Sequence, residues 1–429
     1  MKIKASLKKI YTKDYLILLG IGFLPIMWKI LEIAFLSSSN HAIKILAQIA
    51  FISIIFKIFE ESILNPLYKF FSKENIKNNT DKNSIANKFL VYYSIATIAF
   101  SALLIIFCKE ILQISQVPSY IFNDTLTFIK IYIIASGFGV ISKFLYTFNL
   151  ISKNTKKTFI YFLIKSVATT ILFICLVPKF TLNLGVNGIA IAELIINIST
   201  IIFLGFSSSK NAKSDTKLNI KLYFKLFAYA FAETLIRNVV YYFVILTFLN
   251  MIDNQDLYFV SNEYIWSIML IPTLAQSSLI KQDFANNKEA TLKPYFINSI
   301  LLISFMIILI PLSLIIFKHI YSLSNYMDYF IVLLKLFPCY IIFVIDSIVE
   351  SYFIATGKLH HVLIQSIITN ILLYVTALIF YLCGLWIISL NSIVLLFNLG
   401  VIISSLYTIS IYIIENRKNL NISNKKTNE

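Results

Sequence analysis

From Tyr15 to Ile414 the chain is a succession of apolar runs, each about as long as the 20 residues a helix needs to cross the hydrocarbon of a bilayer, separated by short lysine-bearing connectors. That pattern leaves few folds open. In hydrocarbon every backbone N–H and C=O must be bonded within the protein, and apolar runs of this length satisfy the requirement as helices. Hydrophobic residues make up 58% of the 429 residues and charged residues 14%, too little polar surface for a soluble chain. The fold class expected is an all-α integral membrane protein. Twelve spans are predicted near 15–37, 43–68, 88–112, 125–150, 157–178, 184–206, 222–250, 257–280, 295–317, 329–355, 361–384 and 388–414. Pro25, Pro66, Pro272, Pro311 and Pro338 fall inside or at the edges of these spans, where membrane helices bend.

The net charge of +16 would suit a nucleic-acid binder if it were gathered on one face, so its placement decides. With the N-terminus inside, 26 of the 37 basic residues fall in cytoplasmic segments and only Lys44, Lys109, Lys179 and Lys318 in external loops. This is the positive-inside pattern. It requires an even number of spans with both termini cytoplasmic, in the plasma (inner) membrane, with anionic lipid headgroups rather than nucleic acid beside the lysines. The basic stretch Met1–Asp14 leads straight into a span of full length, which reads as an uncleaved anchor. Cys108, Cys175, Cys339 and Cys383 are isolated and have no redox or metal spacing. His360 and His361 read as solvated residues of a cytoplasmic turn, so no metal or cofactor is expected.

The polar connector after the sixth span falls near the middle of the chain and suggests a duplicated half. Lys73–Asn79 resembles Lys281–Asn287 at an offset of 208, and Asn149–Lys153 resembles Phe353–Gly357 at 204. The predicted span starts at 15 and 222 differ by a similar 207. The expected organisation is therefore a basic N-terminus at 1–14, a six-span lobe at 15–206, a linker at 207–221, a second six-span lobe at 222–414 and a basic tail at 415–429. A substrate path is expected between the lobes.

Charged residues inside spans are costly and need a reason. Asp346 and Glu350 lie four apart in the tenth span, which stacks both carboxylates on one face of a helix, one turn apart. No basic residue lies within a turn of them. A bound Na⁺ or proton would supply the missing partner, as cation-coupled exchange requires, and the helix is expected to line an aqueous cavity. Glu233 and Arg237 are spaced as a helical ion pair, as are Lys29 with Glu32 and Lys57 with Glu60 and Glu61. Aromatic residues crowd the seventh, eighth and tenth spans, among them Tyr241, Trp266, Tyr340 and Phe343, and such faces suit organic cations.

The chain resembles the MATE family, the multidrug and toxic compound extrusion transporters of the wider MOP superfamily. Pro25 looks like that family's first-helix proline. Leu184-Gly185-Val186-Asn187-Gly188-Ile189-Ala190-Ile191-Ala192 is similar to its Leu-Gly-Val-x-Gly-Ala-Ala-x-Ala motif. Ser152-Lys153-Asn154-Thr155-Lys156 is similar to its Gly-Asn-Thr-Lys turn, with Lys153 in place of the glycine. The resemblance implies that Glu233 and Asp346 stand where some members carry membrane-embedded acids of cation coupling. The family's first-helix aspartate would fall near Ser37–Asn40, where there is no acid. Glu32 is at best a displaced substitute.

The expected activity is secondary active export of organic cations or drugs by Na⁺ or H⁺ antiport through alternating access. Asp346, Glu350, Glu233, Arg237 and Glu32 are the candidate cation and substrate residues, and a monomer is the expected state. The alternative is a flippase of the same superfamily for a lipid-linked oligosaccharide, holding an anionic diphosphate with Lys130, Lys143, Lys165 and Lys335. Converging acids favour the first reading and converging lysines the second. A membrane glycosyltransferase or acyltransferase would need an Asp-x-Asp or a histidine base within a span. There is no Asp-x-Asp, and the four histidines sit at loops or span ends, so the chain is not expected to be an enzyme.

Overall fold

The computed structural model describes residues 10, 13–23, 45, 50–76, 79–114, 117, 119–178, 181–206, 219–252, 254–287, 289–321 and 323–427. Among them the regular structure is helical throughout, and nine helices are long and apolar enough to cross a membrane, so the chain is a multi-pass membrane protein. The first predicted span is described only at 15–23. Glu32, Lys29 and Pro25 lie outside the described residues.

The chain forms two compact units, Phe23–Tyr223 and Met1–Gly22 with Phe224–Glu429. In the first, helices α1 (Ala50–Phe70), α2 (Asn79–Ile114), α4 (Thr155–Leu176) and α5 (Gly185–Phe206) gather around α3 (Ser119–Ile151). Small residues let these helices approach closely. A β-carbon on Gly137 would collide with the Ser101 hydroxyl, and one on Gly139 would stand 3.1 Å from Nδ2 of Asn197.

The second unit contains α6 (Ile220–Asn250), α7 (Gln255–Tyr264), α8 (Ile271–Asn286), α9 (Lys293–Ile320), α10 (Tyr326–Thr356), α11 (Leu359–Leu382) and α12 (Leu390–Thr427), with α10 at its centre. Residues 13–22 also belong here, and Tyr15 donates to the Pro272 carbonyl at 3.2 Å. The two central helices, α3 and α10, are the fourth and tenth spans of the sequence. Each has 56% of its apolar window buried, against 17–44% for the other candidate spans.

The eighth span is not one continuous α-helix. Pro272 has no N–H to give and its ring crowds the carbonyl four residues back, so the turns before it widen into a π segment, Ile265–Met269. There Leu270 N–H donates to Ile265 O at 2.9 Å. Further π segments occur within α6 (Tyr241–Leu246), α9 (Ile316–Ile320) and α11 (Ile367–Val375).

The helices α3 and α10 end alike. Lys153 and Gly357 both take left-handed backbone conformations, with φ of 59° and 79°. Lys153 N–H donates to Leu150 O and Asn154 N–H to Asn149 O, just as Gly357 N–H donates to Ile354 O and Lys358 N–H to Phe353 O. This is a Schellman close, repeated at the offset of 204 that links the two sequence segments.

Candidate functional site

Asp346 sits ten residues from the Thr356 end of α10, about 15 Å along the helix. It is 2% exposed. Its Oδ2 accepts from Nε2 of Gln365 on α11 at 3.4 Å, and that amide also donates to Ser404 Oγ on α12 at 3.2 Å. The Ser405 and Thr408 hydroxyls lie beside the carboxylate. Even so, Asp346 Oδ1 and Ser405 Oγ are buried with no hydrogen bond of ordinary length, and among the described residues no basic side chain forms an ion pair with Asp346. Glu350, one turn on, is half-buried and adds a second negative charge on the same face. Rather than lining an open aqueous cavity, Asp346 is closed in by α11 and α12 in this conformation. Their uncharged polar side chains, Gln365, Ser404, Ser405 and Thr408, carry no signal in a sequence scan that follows charge.

Glu233 on α6 is 7% exposed and accepts from Nε of Arg237 at 2.7 Å, so the helical pair read from the spacing forms. On α11, Ser366 Oγ donates to the Glu233 carbonyl at 3.4 Å, and Asn370 donates to Ser366. Glu263, by contrast, is exposed and accepts from its own helix, from Ser267.

The predicted pairing of Lys57 with Glu60 does not form. Lys57 is exposed, and Glu60 instead accepts from Lys143 Nζ on α3 at 2.7 Å. A residue on a packed neighbouring helix outcompetes one on the same helix when its own turn points away. Lys165 on α4 reaches Asn197 Oδ1 on α5 at 3.5 Å, and Glu193 of α5 lies within electrostatic reach of both lysines. Asn197 is held in turn by Ser142 and by the Ala135 carbonyl. Two of the four candidate lysines therefore converge. Lys130 is exposed elsewhere on α3. Lys335 belongs to the second unit, where it donates to Asn391 Oδ1 at 2.7 Å beside Asp256 and Asp328 in a cavity of about 600 Å³.

The aromatic cluster is more core than surface. Tyr264, Tyr340 and Phe353 are fully buried, and Trp266, 37% exposed, packs edge-on against Tyr340 and Phe343. His360 and His361 are helical rather than loop residues; His360 is exposed, but His361 is largely buried. They occupy the first turn of α11, where His361 packs on Phe353 and its Nε2 lies 3.1 Å from Glu415, which also pairs with Lys358. No metal-ligating cluster of His, Cys, Asp or Glu occurs among the described residues.

This is an all-α membrane chain with a buried central helix in each of two units and ionisable groups in its interior. Its particular fold is that of the MATE transporters of the MOP superfamily. A Vibrio cholerae MATE transporter, VcmN, in a mutant form, superimposes with a TM-score of 0.80 over 97% of this chain and 99% of its own, at 14% identity. An outward-facing multidrug resistance MATE family transporter gives 0.78 over 94% of both chains at 11% identity. A MOP superfamily transporter from Pyrococcus furiosus, described for the reverse polarity of its binding pocket, gives 0.74 over 95% and 94% at 12% identity. No family model and no curated protein matches the sequence.

Proposed function

We propose that the protein is a secondary active transporter in which Na⁺ or H⁺ at Asp346 drives alternating access, and that it exports organic cations by antiport. One observation carries the reading: a carboxylate about 15 Å inside a membrane helix, buried among uncharged polar side chains and with no basic partner among the described residues. An ionised acid in that position is costly until a proton or a metal cation neutralises it, so the site alternates between needing a cation and holding one. Glu350 strengthens the demand by placing like charge one turn away. Glu233 starts from a different condition, because Arg237 already neutralises it. It serves in transport only where a conformational change separates the two.

The test is export from proteoliposomes under an imposed Na⁺ or proton gradient. Asp346→Asn keeps the shape and the hydrogen bonds but removes the titratable charge. Gradient-driven transport should fall about tenfold or more with folding intact, and the gradient that drives the parent protein names the coupling ion. Unimpaired export in the variant removes Asp346 from the mechanism.

A further inference from the structure

The second unit holds a charged cluster that coupling at Asp346, as described so far, leaves without a role. Where Gly357 turns the chain from α10 into α11, Glu415 of α12 pairs with Lys358 and lies 3.1 Å from Nε2 of His361. The His360 ring lies 4.0 Å from that of His361, centre to centre, and Lys225 of α6 is within electrostatic reach of it. Tyr352 of α10 faces the Lys358 ammonium at 5.3 Å. Nδ1 of His361 is buried with no hydrogen-bond partner among the described residues. A buried ring nitrogen left unbonded carries a desolvation cost that a purely structural pair would not need.

Helical register joins this cluster to Asp346. On α10, Asp346, Glu350 and Phe353 follow one another at four and three residues, along one face, and on α11 His361 and Gln365 are four apart. Gln365 donates to Asp346 at 3.4 Å, and the Phe353 ring lies 5.0 Å from that of His361. Glu350 therefore sits between two contacts of the same helix pair, half-buried, six residues and about 9 Å from the Thr356 end. Titratable groups descend in order from the buried aspartate to the helix end: Asp346, Glu350, His361, Glu415. Phe353, 1% exposed, packs on the imidazole and closes the passage to bulk water, so what crosses must travel on side chains. A hard cation such as Na⁺ is held by oxygen and gains little from an imidazole, whereas a proton is carried by one.

We propose that Glu350, His361 and Glu415 form the route by which protons pass between Asp346 and the water at the end of α10 that the lysine pattern assigns to the cytoplasm. The inference rests on the reading of Asp346 as the coupling site and makes its ion a proton. A proton leaving the Asp346 carboxyl is taken up by the Glu350 carboxylate and passes from there to Nδ1 of His361. The imidazolium so formed gives its Nε2 proton to the Glu415 carboxylate, which releases it to water, and a flip of the ring returns a protonated nitrogen to Glu415. One proton enters and one leaves at each step, and no electrons are transferred. Lys358 and Gln365 are positioning residues, the first for Glu415 and the second for Asp346.

The test follows protonation of Asp346 by infrared spectroscopy after a pH jump, on the purified full-length protein in lipid nanodiscs. Loss of the carboxyl band in Asp346→Asn assigns it. His361→Gln and Glu415→Gln should each slow the rise of that band about tenfold or more while leaving its titration midpoint nearly unchanged. The two variants are independent, so one that fails to fold leaves the other to decide. A cluster that only ties helices together predicts a lower melting temperature with the rate unchanged. Unchanged rates, or a shift of midpoint large enough to account for the slower rise, overturn the proposal. Absence of any titrating band that Asp346→Asn removes defeats the coupling reading itself, so the two failures are distinct.

Discussion

At the scale of single residues, backbone geometry identifies one position where the chain departs from its own best solution. Lys153 holds the left-handed conformation that ends α3, with φ of 59°, and the matching position after α10 is Gly357. A side chain there crowds the following carbonyl, so Lys153→Gly is expected to raise stability by about 1 kcal/mol. The check is the apparent melting temperature of the detergent-solubilised protein, and a fall would show that the lysine side chain makes a compensating contact. The residues proposed to act in transport are only half legible in the sequence. Asp346 and Glu233 stood out because charge in an apolar run demands explanation. Gln365, Ser405 and Asn197, which surround the buried charges, looked like ordinary polar residues until helices far apart in sequence were packed together. For the same reason spacing alone pairs Glu60 with a lysine one turn away, whereas its partner is Lys143 on a different helix.

At the scale of elements, apolar run length located the helices well, because the hydrocarbon thickness fixes how long a spanning helix must be. What run length could not show was the break in the eighth span. The break depends on how Pro272 widens the turns before it, a local effect on a helix whose hydropathy hardly changes. The contact between α4 and α5 was visible only as a motif. Within Leu184–Ala192, Leu184 N–H donates to the Leu176 carbonyl at 2.9 Å, and a β-carbon on Gly188 would lie 2.8 Å from that same oxygen. The glycine is thus a packing requirement, since the opposing atoms are backbone and cannot rotate away. Gly188→Ala should destabilise the protein by about 1–3 kcal/mol. Yield and melting temperature of the variant measure this, and an unchanged melting temperature would mean that the two helices separate without penalty.

At the scale of the whole molecule, the distribution of lysines makes a claim that packing within a unit does not address: the side of the membrane each connector faces. The 26 basic residues assigned to one side include those around Lys153 and Lys358, and the four on the other side leave the turns at Leu182 and Leu385 nearly free of positive charge. Charged segments resist translocation while the helices insert, so this imbalance predicts the orientation of every span together. On this pattern the two turns that close α3 and α10 are expected on the cytoplasmic side, and the exposed Leu182 and Leu385 outside. Single-cysteine variants at these four positions, in a background with the native cysteines replaced, test this in intact cells with a membrane-impermeant maleimide. Leu182→Cys and Leu385→Cys should label directly, and Lys153→Cys and Lys358→Cys only after permeabilisation. Labelling of Lys153→Cys or Lys358→Cys in intact cells would reverse the orientation, and with it the direction in which a gradient at Asp346 could move any cargo.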